Sequence, residues 1–529
     1  MRLKKALSML SKSSPYAVST VGESIDKELE KIKQYLYVET DIERAFREKL
    51  NEIQSHEIIF LCGSSGDGKS EILTRYREAY QGKVDFHLDA THSFKPDDTA
   101  VETLDSIFAK FTNSDRPLVV GINIGMLGNY EREGDDAHSN VRSAIKCFLE
   151  GEQLAGDYTF IDFEAFPKFQ IVNGEVDSEF FSGLMDKVVK DEVDNPFREA
   201  LNEEISRGTH NLLVANFLLL GEHSVQKIIV ELLLCARIRK DQFITARMLL
   251  DFVYCLLTGP GYLFDNLFSG GDNELLAALA DFDPSIIRNK QLDLFVIHRT
   301  LDFRDDSYLD FVNELESRYR VKGDLDPTSL IRCFYLLKST ELENGYHLRF
   351  SDSFDEASLT LYKKIWQLHK EFDGSSESRA LLKPFYNEIV LLSINKYANK
   401  NASYLTKDEF YISSHGLSDL AAEVDIAISY PRIQADEIHD ISEFNLHIIV
   451  NEDQLEPVPV NVNLLAMMMD ICAGFRPNKH NKNSVVLLDE LVNKITRHAS
   501  NSKVLFLHRN GLRIKIKENP DGDIRVGGL

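Results

Sequence analysis

The sequence predicts an α/β domain built on a parallel sheet with helices on both faces, followed by a mainly helical region and a small α+β C-terminal domain. Three observations predict this. Between residues 56 and 174 short apolar runs alternate with helix-length amphipathic segments; strands separated by helices of that length imply a parallel sheet covered on both sides. From about 175 to 435 apolar residues recur at three- and four-residue spacing, as in NLLVANFLLLGEHSVQKIIVELLLCARI, the period of buried helices. After about 437 short alternating runs return, among them FNLHIIV and VPVNVNL. The expected divisions are an N-terminal helical segment (1–55), the α/β core (56–174), a lid-like helical domain (175–300), a second helical domain (301–436) and a C-terminal α+β domain (437–529).

In order along the chain, MRLKKALSMLSKSSPY lacks the unbroken apolar run of a signal peptide and reads as an amphipathic surface helix. Residues 23–54 carry charged pairs three and four apart with apolar residues between, the habit of two helices. EIIFLCG (57–63) reads as a buried strand and residues 68–82 as a helix closed by Gly82. Strands are expected at 85–91, 117–125 and 158–166, with helices at 98–111 and 137–154 between them. The end, LRIKIKENPDGDIRVGG, reads as a hairpin turning at Asn519–Gly522, where proline presets one dihedral and glycine accepts a positive φ.

At 529 residues the chain exceeds one compact core, and 43% apolar content is enough for several. No stretch approaches 18 apolar residues, and the six cysteines show no C-x-x-C pair or framework spacing. Both features point to a cytoplasmic protein with reduced thiols and no membrane span. A formal net charge of −24 repels a phosphate backbone on average. The exception is the stretch from Arg476 onward, where eleven Lys or Arg face five acids; this basic terminal region is the candidate for any direct DNA contact. The alternative is the wet face of an edge strand, since Arg513, Lys515 and Lys517 alternate with Leu512, Ile514 and Ile516.

The stretch with the most specific chemistry is FLCGSSGDGKSEIL, residues 60–73. Gly63, Ser64, Ser65, Gly66, Asp67, Gly68, Lys69 and Ser70 satisfy G-x-x-x-x-G-K-[ST] in full, and between a strand and a helix each element has a task. Glycines let successive backbone N–H groups face a phosphate, and the following helix presents its positive end to the same anion. Lys69 is expected to reach the β- and γ-phosphates, and Ser70 to give its hydroxyl to Mg²⁺. No Asn-Lys-x-Asp tetrad for guanine occurs, which favours ATP.

The acid that would hold the metal and orient water is harder to place. Candidates are Asp89 after FHL, and Asp162 with Glu164 in FIDFE; Asn123 ends the strand LVVGIN, where such an acid is usual. One arrangement makes Asp89 the metal ligand beside Ser70 and Asn123 a polar sensor of the γ-phosphate. The alternative for each is an ordinary strand-end cap. VVLLDE (485–490) resembles a metal-site strand but continues at helical spacing, and reads as a helix capped by Ser484. FSGGDNE (268–274) reads as a turn between helices. In DQFITARMLLDF, Thr245 is the expected cap and Arg247 falls in the first turn, where a lid arginine would reach back to a γ-phosphate and a solvated one would equally sit. No acidic cluster with a nuclease pattern stands on the expected strands.

Taken together, GSSGDGKSEIL, FHLDATHSF, PLVVGINIGML and ITARMLLDFVYCLLTGPG resemble the DptF family of DNA phosphorothioation-dependent restriction proteins, and the likeness runs along most of the chain. The resemblance implies a cytoplasmic ATPase, with ATP and Mg²⁺ as cofactors, acting with DptG-like and helicase-like DptH partners against DNA lacking the sulfur modification. Rival readings are a nucleotide-gated scaffold that binds ATP with little hydrolysis, and a P-loop kinase.

Overall fold

The computed structural model describes the chain apart from residues 1, 14–26, 91–98, 153–155, 208–210, 323–324, 407–408, 439, 478–481, 501, 519–522 and 529. The chain divides into two compact units, Met1–Gln170 with Asp177–Ala236 and Gln242–Phe354, and Ile171–Val176 with Arg237–Asp241 and Asp355–Leu529.

In the first unit α1 (Leu3–Leu7), α2 (Lys27–Tyr35) and α3 (Asp41–Glu52) precede β1 (Ile58–Gly63). There follow α4 (Lys69–Ala79), β2 (Asp85–His87), α5 (Ala100–Thr112), β3 (Leu118–Asn123), α6 (Ile124–Glu133), α7 (Ser139–Leu149) and β4 (Tyr158–Asp162). The four strands make one parallel sheet in the order β2-β3-β1-β4. All six β1 residues are buried because alternate side chains feed two cores. Ile58, Phe60 and Cys62 meet Leu104, Phe108, Leu127, Tyr130 and Ile145 of α5, α6 and α7. Ile59 and Leu61 meet Ile42, Phe46 and Leu50 of α3 and Ile72 and Leu73 of α4. Each fully buried large apolar side chain stabilises by about 1.5–3 kcal/mol, so β1 is the best-anchored segment of the sheet and the loop after it starts from a fixed point.

Connections from β1 lead first to the β2-β3 side, and β3 then crosses to β4 on the other side of β1. That reversal falls at the carboxyl end of β1, the usual place for a ligand in an open α/β sheet.

Several expectations shift. The strand expected at 117–125 ends at Asn123, and α6 begins at once. Gly125 and Gly128 weaken its helical signature, but Leu127 and Tyr130, both fully buried, hold the helix against the sheet. The strand expected at 158–166 ends at Asp162, where that carboxylate accepts the Glu164 N–H and turns the chain into a 3-10 segment. The start of the chain does form the expected amphipathic helix: Leu3, Ala6, Leu7 and Leu10 are completely buried while Lys4 and Lys5 are exposed. α5 begins with a reciprocal cap, the Glu102 N–H donating to Thr99 Oγ1 at 3.2 Å and the Thr99 N–H to Glu102 Oε2 at 2.7 Å. The helical remainder includes α8 (Glu179–Val189), α9 (Pro196–Ser206), α10 (Leu212–Leu220), α11 (His223–Lys240) and α12 (Ala246–Thr258). FSGGDNE lies between two helices, with Asn273 capping the second.

In the second unit, helices pack around Ala357–Lys370 and Val462–Cys472, and a five-stranded antiparallel sheet orders its strands as 524–528, 512–518, 504–509, 418–423 and 409–415. Two of these strands, with Ile426–Ile428, fall in the segment expected to be helical. EFYISSH and SDLAAE carry mostly small and polar residues, so only Phe410, Ala421 and Ala422 mark their buried face. VVLLDE lies inside the helix Lys482–Ala499; that helix starts two residues before Ser484, which is therefore within its first turn and not its cap. The terminal strands pair as a hairpin (Ile516↔Val526, Lys517↔Arg525), and the Asn519–Gly522 turn lies outside the described residues. Among the described residues no helix is long and apolar enough to cross a membrane.

One buried group of this unit makes stability depend on pH. His369 lies in the core, its Nδ1 2.8 Å from the Ile365 carbonyl and its Nε2 2.8 Å from the Tyr386 hydroxyl, stacked on Phe444. Burial lowers its pKa to about 4. A histidine depressed in the folded state stabilises fully above its unfolded value near 6.5, and the gain disappears as pH falls through the folded value. Urea unfolding of this unit's signal is expected to lose roughly 3 kcal/mol between about pH 6.5 and pH 4, and His369→Phe should flatten that slope.

Candidate functional site

β1 ends at Gly63, and residues 64–68 form a tight loop before α4. Its glycines are needed for different reasons. A Cβ on Gly63 would lie 2.8 Å from the Phe163 ring, while Gly66 (φ +87°) and Gly68 (φ +107°) hold left-handed backbone. Gly68 occupies the cap position of α4 with no side-chain cap, so the first-turn amides are not covered by a side-chain acceptor of that residue.

Lys69 folds back over this loop. It is only 8% exposed, and its Nζ donates to the carbonyl oxygens of Gly63 (3.0 Å) and Ser64 (2.7 Å). Burial lowers its pKa, with Asp67 and Asp89 pulling the other way. The Ser70 hydroxyl points to the Leu88 carbonyl at 3.4 Å, and the next residue, half-buried Asp89, lies in electrostatic reach of Lys69 and His87. The chain beyond β2 stays beside β3 as far as Ala90, whose N–H donates to Gly121 O at 3.0 Å; a Cβ on Gly121 would strike the Leu88 carbonyl at 2.6 Å. Close backbone approach thus sets the position of Asp89.

The neighbouring strand ends bring two more candidates to the loop. Asn123 is the register partner of Gly63, and Asp162 that of Cys62. Burial raises the pKa of Asp162, partly offset by the Glu164 N–H, and burial with Asp162 nearby pushes the Cys62 thiol up. Glu164 is exposed; its backbone N–H donates to Asp162, and its carboxylate charge acts on Asp162 in the opposite sense. Arg247 is brought to the loop by its main chain. Thr245 Oγ1 caps α12 by accepting the Met248 N–H, and the Arg247 N–H donates to Gly66 O at 3.2 Å. Its guanidinium donates to the Lys12 carbonyl at 3.2 Å, while the Lys12 N–H donates to Asp251 on α12.

The donor set suits a magnesium-bound polyphosphate. Such an ion takes one or two protein oxygens and completes its shell with phosphates and water; the Ser70 hydroxyl and a carboxylate at Asp89 supply that number. Among the described residues no group of three or more His, Cys, Asp or Glu side chains is placed to hold a metal by itself.

Three features were not read from the sequence. Lys168 donates to Asp67 at 2.8 Å inside the loop, Phe163 closes over Gly63, and Lys12 holds Arg247. The first had a faint signal in FPKF, a lysine between aromatics one residue beyond FIDFE. In the second unit the basic terminal strands are partly neutralised. Arg513 Nε and His508 Nε2 lie 2.7 and 3.2 Å from Glu409, a carboxylate with 1% side-chain exposure, and Lys515 pairs with Glu423 at 3.3 Å.

No family model, curated protein or solved structure matches the chain.

The contact of α12 with the loop is testable. Alanine at Gly66 would adopt an unfavourable φ and place its Cβ 3.2 Å from both Thr245 Oγ1 and Arg247 Cβ. Gly66→Ala is expected to cost about 1–3 kcal/mol in denaturant unfolding, against no more than about 0.5 kcal/mol for an exposed surface substitution.

Proposed function

We propose that residues 63–70 are a P-loop binding Mg²⁺·ATP, and that the chain is an ATP-hydrolysing component of a phosphorothioation-dependent DNA restriction complex. The observation that carries the reading is Lys69, a buried ammonium resting on the carbonyls of its own glycine loop at the carboxyl end of β1. Two neutral carbonyls are weak partners for a buried cation compared with an anion. Lys69 would exchange these carbonyls for the β- and γ-phosphate oxygens of a bound triphosphate, and the amides of the loop and the α4 first turn would complete the cradle. The bound magnesium ion supplies charge neutralisation on the phosphates. Ser70 would offer the ion its hydroxyl, Asp89 would coordinate it or accept a hydrogen bond from its bound water, and Asn123 would hydrogen-bond at the γ-phosphate end. Asp162, with its raised pKa, is the alternative acid. Nucleotide-dependent motion passes to α12 through the Gly66–Arg247 backbone bond, and from there to partners. The DptF-like stretches support partners of the DptG and DptH kind, and the −24 net charge supports DNA contact made mainly through them.

A nucleotide-gated scaffold with slow turnover is the second reading. It is favoured by one observation: the Arg247 guanidinium is engaged by Lys12, so the cation that would stabilise γ-phosphate transfer is held elsewhere.

Phosphate release by the chain with its partners and unmodified DNA separates the two. Lys69→Ala is expected to lower kcat/KM by about 10²–10³-fold, and Asp89→Asn to raise the Mg²⁺ requirement more than Asp162→Asn does. Unchanged turnover in Lys69→Ala would remove the mechanism, and tight ATP binding with no release would favour the scaffold.

A further inference from the structure

Asp67 is an unusual residue to find inside a cradle for anions. Its side chain is 1% exposed, so its charge is not relieved by water. Oδ2 accepts the Ser64 N–H at 2.7 Å and Oδ1 accepts Lys168 Nζ at 2.8 Å. The carboxylate therefore shapes the loop by tying its start to its middle, and it consumes the Ser64 amide in doing so. It also cancels Lys69: one buried negative and one buried positive charge leave the loop with no net attraction for a polyphosphate.

Lys168 restores the balance. It comes from the segment after β4, its side chain is 18% exposed, and its ammonium lies 5.8 and 5.9 Å from the Phe163 and Phe243 ring centroids. Phe163 is the ring packed over Gly63, and Phe243 lies just before the Thr245 cap of α12. The lysine is thus held between the loop and the segment leading into α12 by two aromatic faces, a setting that favours a cation.

Resting on the P-loop reading, we propose that Lys168 is a positioning residue of the phosphate site: it neutralises Asp67, so that the carboxylate can brace the loop while the triphosphate meets a net positive charge. Lys168 acts through Asp67 and makes no bond to the nucleotide. Without it, a buried, unpaired carboxylate faces the phosphates across a few ångströms of low-dielectric space. Removing the carboxylate as well abolishes the penalty.

The test uses the full chain and titration with Mg²⁺·ATP, Mg²⁺·ADP and adenosine, alongside thermal unfolding without nucleotide. Lys168→Met keeps the apolar stem between the two rings and removes the charge. It is expected to weaken ATP binding by on the order of tenfold or more, ADP less and adenosine not at all, and to lower the melting temperature. Lys168→Arg should bind as the unaltered chain does, and the double variant Asp67→Asn/Lys168→Met should recover both affinity and stability. Unaltered ATP affinity in folded Lys168→Met overturns the proposal. A double variant as weak as Lys168→Met alone overturns it too, because Lys168 would then act on the nucleotide directly. An unaltered chain that takes up no nucleotide would overturn the P-loop reading itself, and this role with it.

Discussion

The structure of the candidate site depends on burying an ammonium. Taking Lys69 out of water costs free energy that two carbonyl hydrogen bonds offset only in part, and its lowered pKa records the cost. The surroundings make that burial tolerable. β1 supplies a rigid base because both its faces are packed, Gly63 allows Phe163 to close over the loop, and Asp67 and Asp89 provide compensating charge. A partly compensated cation at the sheet's switch point is the feature on which the proposed phosphate site rests.

Much of this was legible in the chain. β1, the loop and α4 combine a motif with a change of period from strand to helix, and each of these signals is local. Thr245 as a cap also needed only its neighbours, since an N-cap is defined by the residues just after it. What escaped depended on contacts distant in sequence. The first α6 turn looked like a continuing strand because Ile122, Ile124 and Met126 recur at strand period, and packing of Leu127 and Tyr130 decides for helix. The N-terminal residues have an amphipathic pattern whose partner surface the sequence does not name. Lys168 lies 101 positions from Asp67, and neither residue by itself predicts the other. Asp89 was not distinguished from the other candidate acids in the sequence, because its position depends on Gly121 admitting the Leu88 carbonyl against β3.

Electrostatics divides the labour along the chain. The excess of acids keeps most of the surface unfavourable for DNA, and the basic terminal sheet spends part of its charge internally on Glu409 and Glu423. Burial alone would raise the Glu409 pKa, yet the Thr406 amide, Arg513 and His508 hold it below the usual value, the mark of a structural ion cluster. The proposal of a nucleotide cycle in the first unit, with DNA contact made largely through partners, is consistent with this charge distribution.

The central claim is that the backbone between 63 and 70 surrounds a polyphosphate. Hydrogen–deuterium exchange of the full chain with and without Mg²⁺·ATP reads that backbone directly. The account predicts slowed exchange at the amides of residues 65–71, with a smaller effect at the start of α12. Protection confined to other segments, with the loop amides exchanging as before, would contradict it.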